Sequence, residues 1–341
     1  MTALAKGLTG AAMAACGPHP GKALSSAAVA NLLAGRWQLG ARLGRGSMGE
    51  VRAAVDRETG EEVAVKLARD WTVSDPELFA RFEREGKVLK RLKSPHVCGF
   101  RAMGRTPEGA PYLVLERLEG ETLDAALARE GDLPLDEVVR VGREVLLALA
   151  QAHDAGVVHR DLSPSNVFLH VGPDGTRITK VLDFGVAKAD TTSVAGVATG
   201  SGATMGSLAY VAPEQIGGSA TVGPRADLYA LGTLLFRALT GRMPFGDAHG
   251  TRLFTLKREH DPPSIDEATG ERWPVAVRTF LEKMLARSPS KRFASAEAAL
   301  AALDAIGAPR AAPAPPRSRA VQDPSFSHTQ TLDGPPRRRT R

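Results

Sequence analysis

Gly44-Arg45-Gly46-Ser47-Met48-Gly49-Glu50-Val51 is a G-x-G-x-x-G run, and the conformation of the residues directly after it decides the fold. Glycines at this spacing let a backbone approach phosphate oxygens closely, with its N–H groups doing the binding. A dinucleotide-binding turn would place a helix directly after the last glycine. Here residues 50 to 55 are strand-like, so the loop sits in a hairpin. Working outward, residues 36 to 44, 49 to 55 and 62 to 67 read as strands, with Glu58-Thr59-Gly60 as a turn. Tyr112-Leu113-Val114-Leu115-Glu116 reads as another strand.

Strand alternation puts Ala64 and Lys66 on one face and Val63, Val65 and Leu67 on the other. Ala64 leaves room for a flat base, and Lys66 can reach phosphate oxygens. A helix is expected from Pro76 to about Leu92. At helical spacing Leu78, Phe82, Glu85, Leu89 and Leu92 share one stripe, and Glu83 falls off it. A carboxylate inside an apolar stripe needs a cation partner, and Lys66 is the expected one. Residues 118 to 305 read as mainly helical, including the apolar run from 227 to 239.

Further motifs come in order along the chain: Val63-Ala64-Val65-Lys66, His159-Arg160-Asp161 with Asn166, Asp183-Phe184-Gly185, and Ala212-Pro213-Glu214. Each is weak alone; in this order they match the protein-kinase signature set. Over about residues 36 to 305 the chain resembles the bacterial, eukaryotic-like serine/threonine protein kinases. The resemblance implies an α+β, bilobal fold: a β-rich N-lobe with one regulatory helix (about 36–117) and a mainly helical C-lobe (about 118–305). It implies ATP and Mg²⁺ as cofactors.

The same resemblance assigns the residues. Asp161 would orient the substrate hydroxyl and accept its proton, with Lys66 and Glu85 as the helix-to-strand ion pair. Asn166 and Asp183 would hold the metal, as hard oxygen donors suit Mg²⁺. ATP would contact Leu43, Gly44, Arg45, Gly46, Ser47, Met48, Gly49, Glu50, Val51, Ala64 and Lys66, with Glu116 and Leu118 offering backbone groups to adenine and Leu115 as gatekeeper. Arg160 would pair with a phosphate on the segment from 183 to 214, for which Thr191, Thr192, Ser193, Thr199, Ser201 and Thr204 are the candidate acceptors. Asp227 is expected to cap the N–H groups of the helix it precedes. Glu214 and Arg292 would form a structural ion pair.

One position departs from the family. Ser163 stands two residues after Asp161, where serine/threonine kinases carry Lys. The loss of that cation could lower the rate by about 10²–10³. Ser207, where such kinases usually carry Thr, favours aliphatic hydroxyls as acceptors. The leading reading is an active kinase acting on protein substrates and on itself through a transient homodimer. A pseudokinase acting as a nucleotide-binding scaffold is the alternative, and a small-molecule phosphotransferase is a third.

The bulk numbers bound the rest. Of 341 residues carrying a net +6, the two ends (1–35 and 307–341) contribute +7, which leaves the middle at −1. The Ala/Gly-rich stretch of 1–35 reads as a flexible extension; the Pro/Arg-rich basic stretch of 306–341 has a composition that cannot bury a core and reads as a disordered tail, and nucleic acid is not expected as a partner. Cys16 and Cys98 form no disulfide framework or metal-ligand pattern. No apolar run is long enough to span a membrane, and a cytoplasmic location is expected.

Overall fold

In the computed structural model, residues 31–45, 49–68, 76–184, 207–216 and 222–306 are described. The N-terminal part is a six-stranded antiparallel sheet in the order β1-β2-β3-β4-β6-β5. Its strands are β1 (Leu32–Leu33), β2 (Trp37–Arg45), β3 (Gly49–Asp56), β4 (Glu62–Ala68), β5 (Phe100–Arg105) and β6 (Pro111–Glu116). The β3–β4 turn is held by Asp56, whose carboxylate accepts from the Glu58 N–H and the Thr59 hydroxyl. β1 and β5 lack the long apolar alternation that marks the other strands. Leu32–Leu33, read as part of the extension, instead pairs with Trp37 and Gln38.

Helix α1 (Pro76–Arg91) crosses the sheet. Phe82, Leu89 and Leu92 are buried as the stripe requires, and Glu85 is buried among them. Gly86 lies where the helix meets the sheet: a Cβ there would come 2.7 Å from Leu113 Cδ2 and 3.1 Å from Met103 Sδ. Glu83 points outward to Arg105 and Lys87.

The second part is mainly helical, with α2 (Leu123–Glu130), α3 (Leu135–Asp154), α4 (Arg225–Thr240), α5 (Gly250–Glu259), α6 (Ile265–Thr269), α7 (Val275–Met284) and α8 (Ala296–Asp304). A small antiparallel sheet of β7 (Gly120–Thr122), β8 (Val167–Val171) and β9 (Arg177–Val181) lies where this part meets the first. Helix α4 is apolar almost all round, and its residues from Ala226 to Phe236 are buried. It is the spine on which α3 and α7 pack. The two-lobed α+β architecture expected from the sequence is present. Among the described residues, no helix is long and apolar enough to cross a membrane.

Candidate active site

The site lies where β4, α1 and the end of β9 converge. Lys66 sits in β4, with Val51 beside it on β3 and Leu113 on β6. Its Nζ donates to Glu85 Oε1 at 2.8 Å and to Asp183 Oδ1 at 2.8 Å. The Lys66 and Glu85 side chains are 12% and 10% exposed, whereas that of Asp183 is 50% exposed. Burial disfavours the ammonium, but Asp183 and Glu85 outweigh it and lift Lys66 above the ordinary lysine range. Burial also raises Glu85, against the pull of Lys66. The arrangement is a cation shared by two carboxylates, one enclosed and one facing the cleft.

The loop carrying Asp161 is fixed from beneath. His159 is buried, and its ring lies 4.8 Å from that of Phe184. Its Nε2 is 3.0 Å from the Leu182 carbonyl. Asn166 Nδ2 donates to the Asp161 carbonyl at 2.9 Å, and the Asn166 carbonyl accepts from the Leu182 N–H at 2.8 Å. The backbone groups of 161, 166 and 182 therefore set the spacing of Asp161, Asn166 and Asp183. Arg160 and Asp183 have positive φ, 63° and 41°, strained values for non-glycine residues that the surrounding bonds maintain.

Asp227 does not cap its own helix. Helix α4 starts at Arg225 after Pro224, so Asp227 lies inside the first turn. Its carboxylate instead accepts from the N–H groups of His159 and Arg160, each at 2.8 Å, and lies 2.8 Å from His153 Nε2. A buried anion takes the donors that burial leaves to it, and these come from a loop 67 and 68 residues earlier in the chain.

At the glycine-rich run, Gly44 pairs with Val51, and Arg45 with Glu50. A Cβ on Gly49 would fall 1.9 Å from the Leu67 carbonyl oxygen, so only glycine fits there. Leu43 is exposed and Ala64 buried. Gly46, Ser47, Met48 and Gly185 lie outside the described residues, as do Thr191, Thr192, Ser193, Thr199, Ser201 and Thr204. The Glu116 N–H donates to the Gly99 carbonyl at 2.7 Å, and the Glu116 carbonyl accepts from the Cys98 thiol at 3.9 Å. Leu115 is buried, and Leu118 packs against the core.

Ser163 is buried, with its hydroxyl 2.9 Å from that of Ser165. Arg292 forms a two-pronged pair with Glu214 at 2.7 and 2.8 Å.

Three contacts had no local signature in the sequence. Lys180 on β9 pairs with Glu116 at 2.7 Å, joining the two lobes behind the cleft. Gln215 accepts from the Ala212 N–H and donates to the Arg160 carbonyl, tying the segment at 207–216 to the Asp161 loop. Lys257 on α5 bonds the backbone of that segment. Each of these is a polar residue that finds its partner through tertiary packing.

Residues 37–302 match the model of the protein kinase domain. The chain is 35% identical over 281 residues to serine/threonine-protein kinase pkn3 of Myxococcus xanthus, covering 82% of this chain and 51% of that protein. It is 35% identical over 297 residues to serine/threonine-protein kinase PknA of Mycobacterium tuberculosis, covering 86% and 65%. The chain thus spans about half to two thirds of the length of these relatives. Among solved structures it is similar to the PknI kinase domain of Mycobacterium tuberculosis, with a TM-score of 0.61 and 25% identity over 80% of this chain and 96% of that one. It is likewise similar to Rad53 solved in complex with AMP-PNP, with a TM-score of 0.62 and 25% identity over 78% and 64%.

Proposed function

The chain belongs to the protein kinase family, in its bacterial serine/threonine branch, and on that premise we propose that it transfers the γ-phosphoryl group of ATP to serine and threonine hydroxyls of proteins. The observation that carries this reading is Lys66, held at 2.8 Å from both Glu85 and Asp183.

The donor set fits Mg²⁺ and ATP. One half-exposed carboxylate (Asp183) and one side-chain amide oxygen (Asn166) are hard ligands that leave most of the coordination shell to phosphate and water. When bound, Mg²⁺-ATP supplies the phosphoryl group and the divalent charge that offsets its transfer.

The chain's own residues do the remainder. Glu85 holds the Lys66 ammonium in place to bind phosphate oxygens. Asp161 orients the acceptor hydroxyl and takes its proton. Asp227 and Asn166 keep the Asp161 loop in register. Gly44 and Gly49 let the loop backbone approach the nucleotide. The reaction needs positioning and charge more than covalent chemistry. Ser163 leaves one phosphate-side cation out of this set, so the rate is set lower than in kinases with Lys there.

The substrate class is polypeptide, docked on the segment that ends at Ala212-Pro213-Glu214, and the chain also phosphorylates a second copy of itself in trans. The supply of ATP places the reaction in the cytoplasm. The test is transfer from γ-labelled ATP to a generic basic protein. Wild type should label it, and Lys66→Met and Asp161→Asn should lose at least about 10²-fold in rate. Equal labelling by all three would refute the assignment. Nucleotide binding without any transfer would instead support the scaffold reading.

A further inference from the structure

Lys257 takes no part in the chemistry above, yet it is a buried cation of the C-lobe, only 2% exposed. It rises from α5 beneath the segment at 207–216. Its Nζ donates to the Ala209 carbonyl at 2.6 Å and to the Val211 carbonyl at 2.7 Å. The ammonium also lies 5.3 Å from the centre of the Tyr229 ring. Beside it is a cavity of about 20 Å³, room for roughly one water, lined by Tyr229, Thr233, Met243, Phe245 and Leu253. Burial and the nearby Arg292 pull the lysine down to about 7, while Arg292 itself is neutralised by Glu214. An apolar residue would fill this channel without that penalty, so the ammonium is there for the two carbonyls it holds.

Those carbonyls belong to alternate residues of one short stretch that is tied down separately at other points, through the Tyr210 and Glu214 side chains and the Ala212 N–H. The Tyr210 hydroxyl is held by Arg237 at 2.6 Å. Ala212 is held by Gln215, and Glu214 by Arg292. Lys257 fixes the backbone in the middle of the stretch, from a different helix.

We propose that Lys257 is a positioning residue for the polypeptide substrate. Its ammonium pins the backbone from Ala209 to Val211 and so fixes the surface against which residues next to the acceptor hydroxyl are read. The inference rests on the proposed docking of a polypeptide on this segment.

The experiment uses the full chain and Lys257→Met, which retains the bulk and loses the donors. KM for a serine-containing peptide, KM for Mg²⁺-ATP and kcat are measured together with amide hydrogen exchange. Peptide KM is expected to rise about tenfold, as for loss of the buried hydrogen bonds to two carbonyls. ATP KM and kcat should stay within about twofold, because Glu116, Leu118 and the Lys66 site are untouched. Exchange across 207–216 should speed up about tenfold while α4 is unchanged. Lys257→Gln, which keeps one donor group, should fall between the two. Unchanged peptide KM overturns the proposal. So does a joint rise of both KM values with faster exchange across α4, the signature of general fold support. If wild type phosphorylates no peptide, the kinase reading has failed on its own. Exchange then decides whether Lys257 holds the segment: acceleration confined to 207–216 supports it, and none overturns it.

Discussion

Replacing Arg292 by Met would remove a cation whose side chain is fully buried, while its partner Glu214 is only 16% exposed. The guanidinium binds both Glu214 oxygens, at 2.7 and 2.8 Å. It also donates to the carbonyls of Arg225 at 2.8 Å, Ala286 at 2.8 Å and Arg287 at 3.1 Å. The substitution leaves a nearly enclosed carboxylate and three carbonyls without their donor. Removing one partner of a buried pair costs about 3–5 kcal/mol. For a domain of this size, with roughly 2–4 °C per kcal/mol, the melting temperature should fall by about 10 °C, read by calorimetry or circular dichroism. Glu214→Gln in the same chain neutralises the stranded charge, so the double variant should be more stable than the sum of the single effects predicts, by about 1–3 kcal/mol. A shift under about 2 °C for Arg292→Met, or strict additivity in the cycle, would refute the reasoning.

Gly86→Ala would place a methyl 2.7 Å from Leu113 Cδ2; it should destabilise by about 1–3 kcal/mol and, by pushing α1 off the sheet, lower kcat/KM through the Lys66–Glu85 pair. Arg36, then the Glu58 N–H and the Thr59 hydroxyl, hold Asp56 well below the ordinary carboxylate range. That stabilisation is present above about pH 4 and is lost as pH falls through the depressed folded value. Asp56→Asn should therefore be less stable than wild type at pH 7 in thermal melts, with the gap closing in acid. Ser163→Lys should raise kcat about tenfold or more by restoring a cation at the transferred phosphate, with no change in nucleotide affinity by titration; an unchanged kcat would show that the missing cation does not limit the rate.

How much of this was legible in the sequence depends on how local each contact is. Strand alternation placed Ala64 and Lys66 on one face, and helical spacing separated Glu85 from Glu83; in the structure Glu85 meets Lys66, and Glu83 meets Arg105. These are patterns within one element. The Leu32–Leu33 strand was not legible because it is two residues long, and β5, though as long as β6, breaks its apolar pattern with Arg101, Gly104 and Arg105; each takes its conformation from the strand it pairs with. Asp227 was misread for a related reason. Its position at the start of an apolar helix is that of a cap, but its donors are the N–H groups of His159 and Arg160, brought there by packing of α3 on α4. Lys257, Lys180 and Gln215 look like ordinary surface residues of their elements, and only the tertiary fold gives them carbonyls or carboxylates to bind.

The most direct test of the central assignment is phosphoamino-acid analysis of the chain after incubation with γ-labelled ATP and Mg²⁺, with Asp161→Asn alongside. The account predicts acid-stable label recovered as phosphoserine and phosphothreonine in wild type, and none in the variant. Bound nucleotide with no label in wild type, label recovered only as phosphotyrosine, or equal label in Asp161→Asn would contradict it.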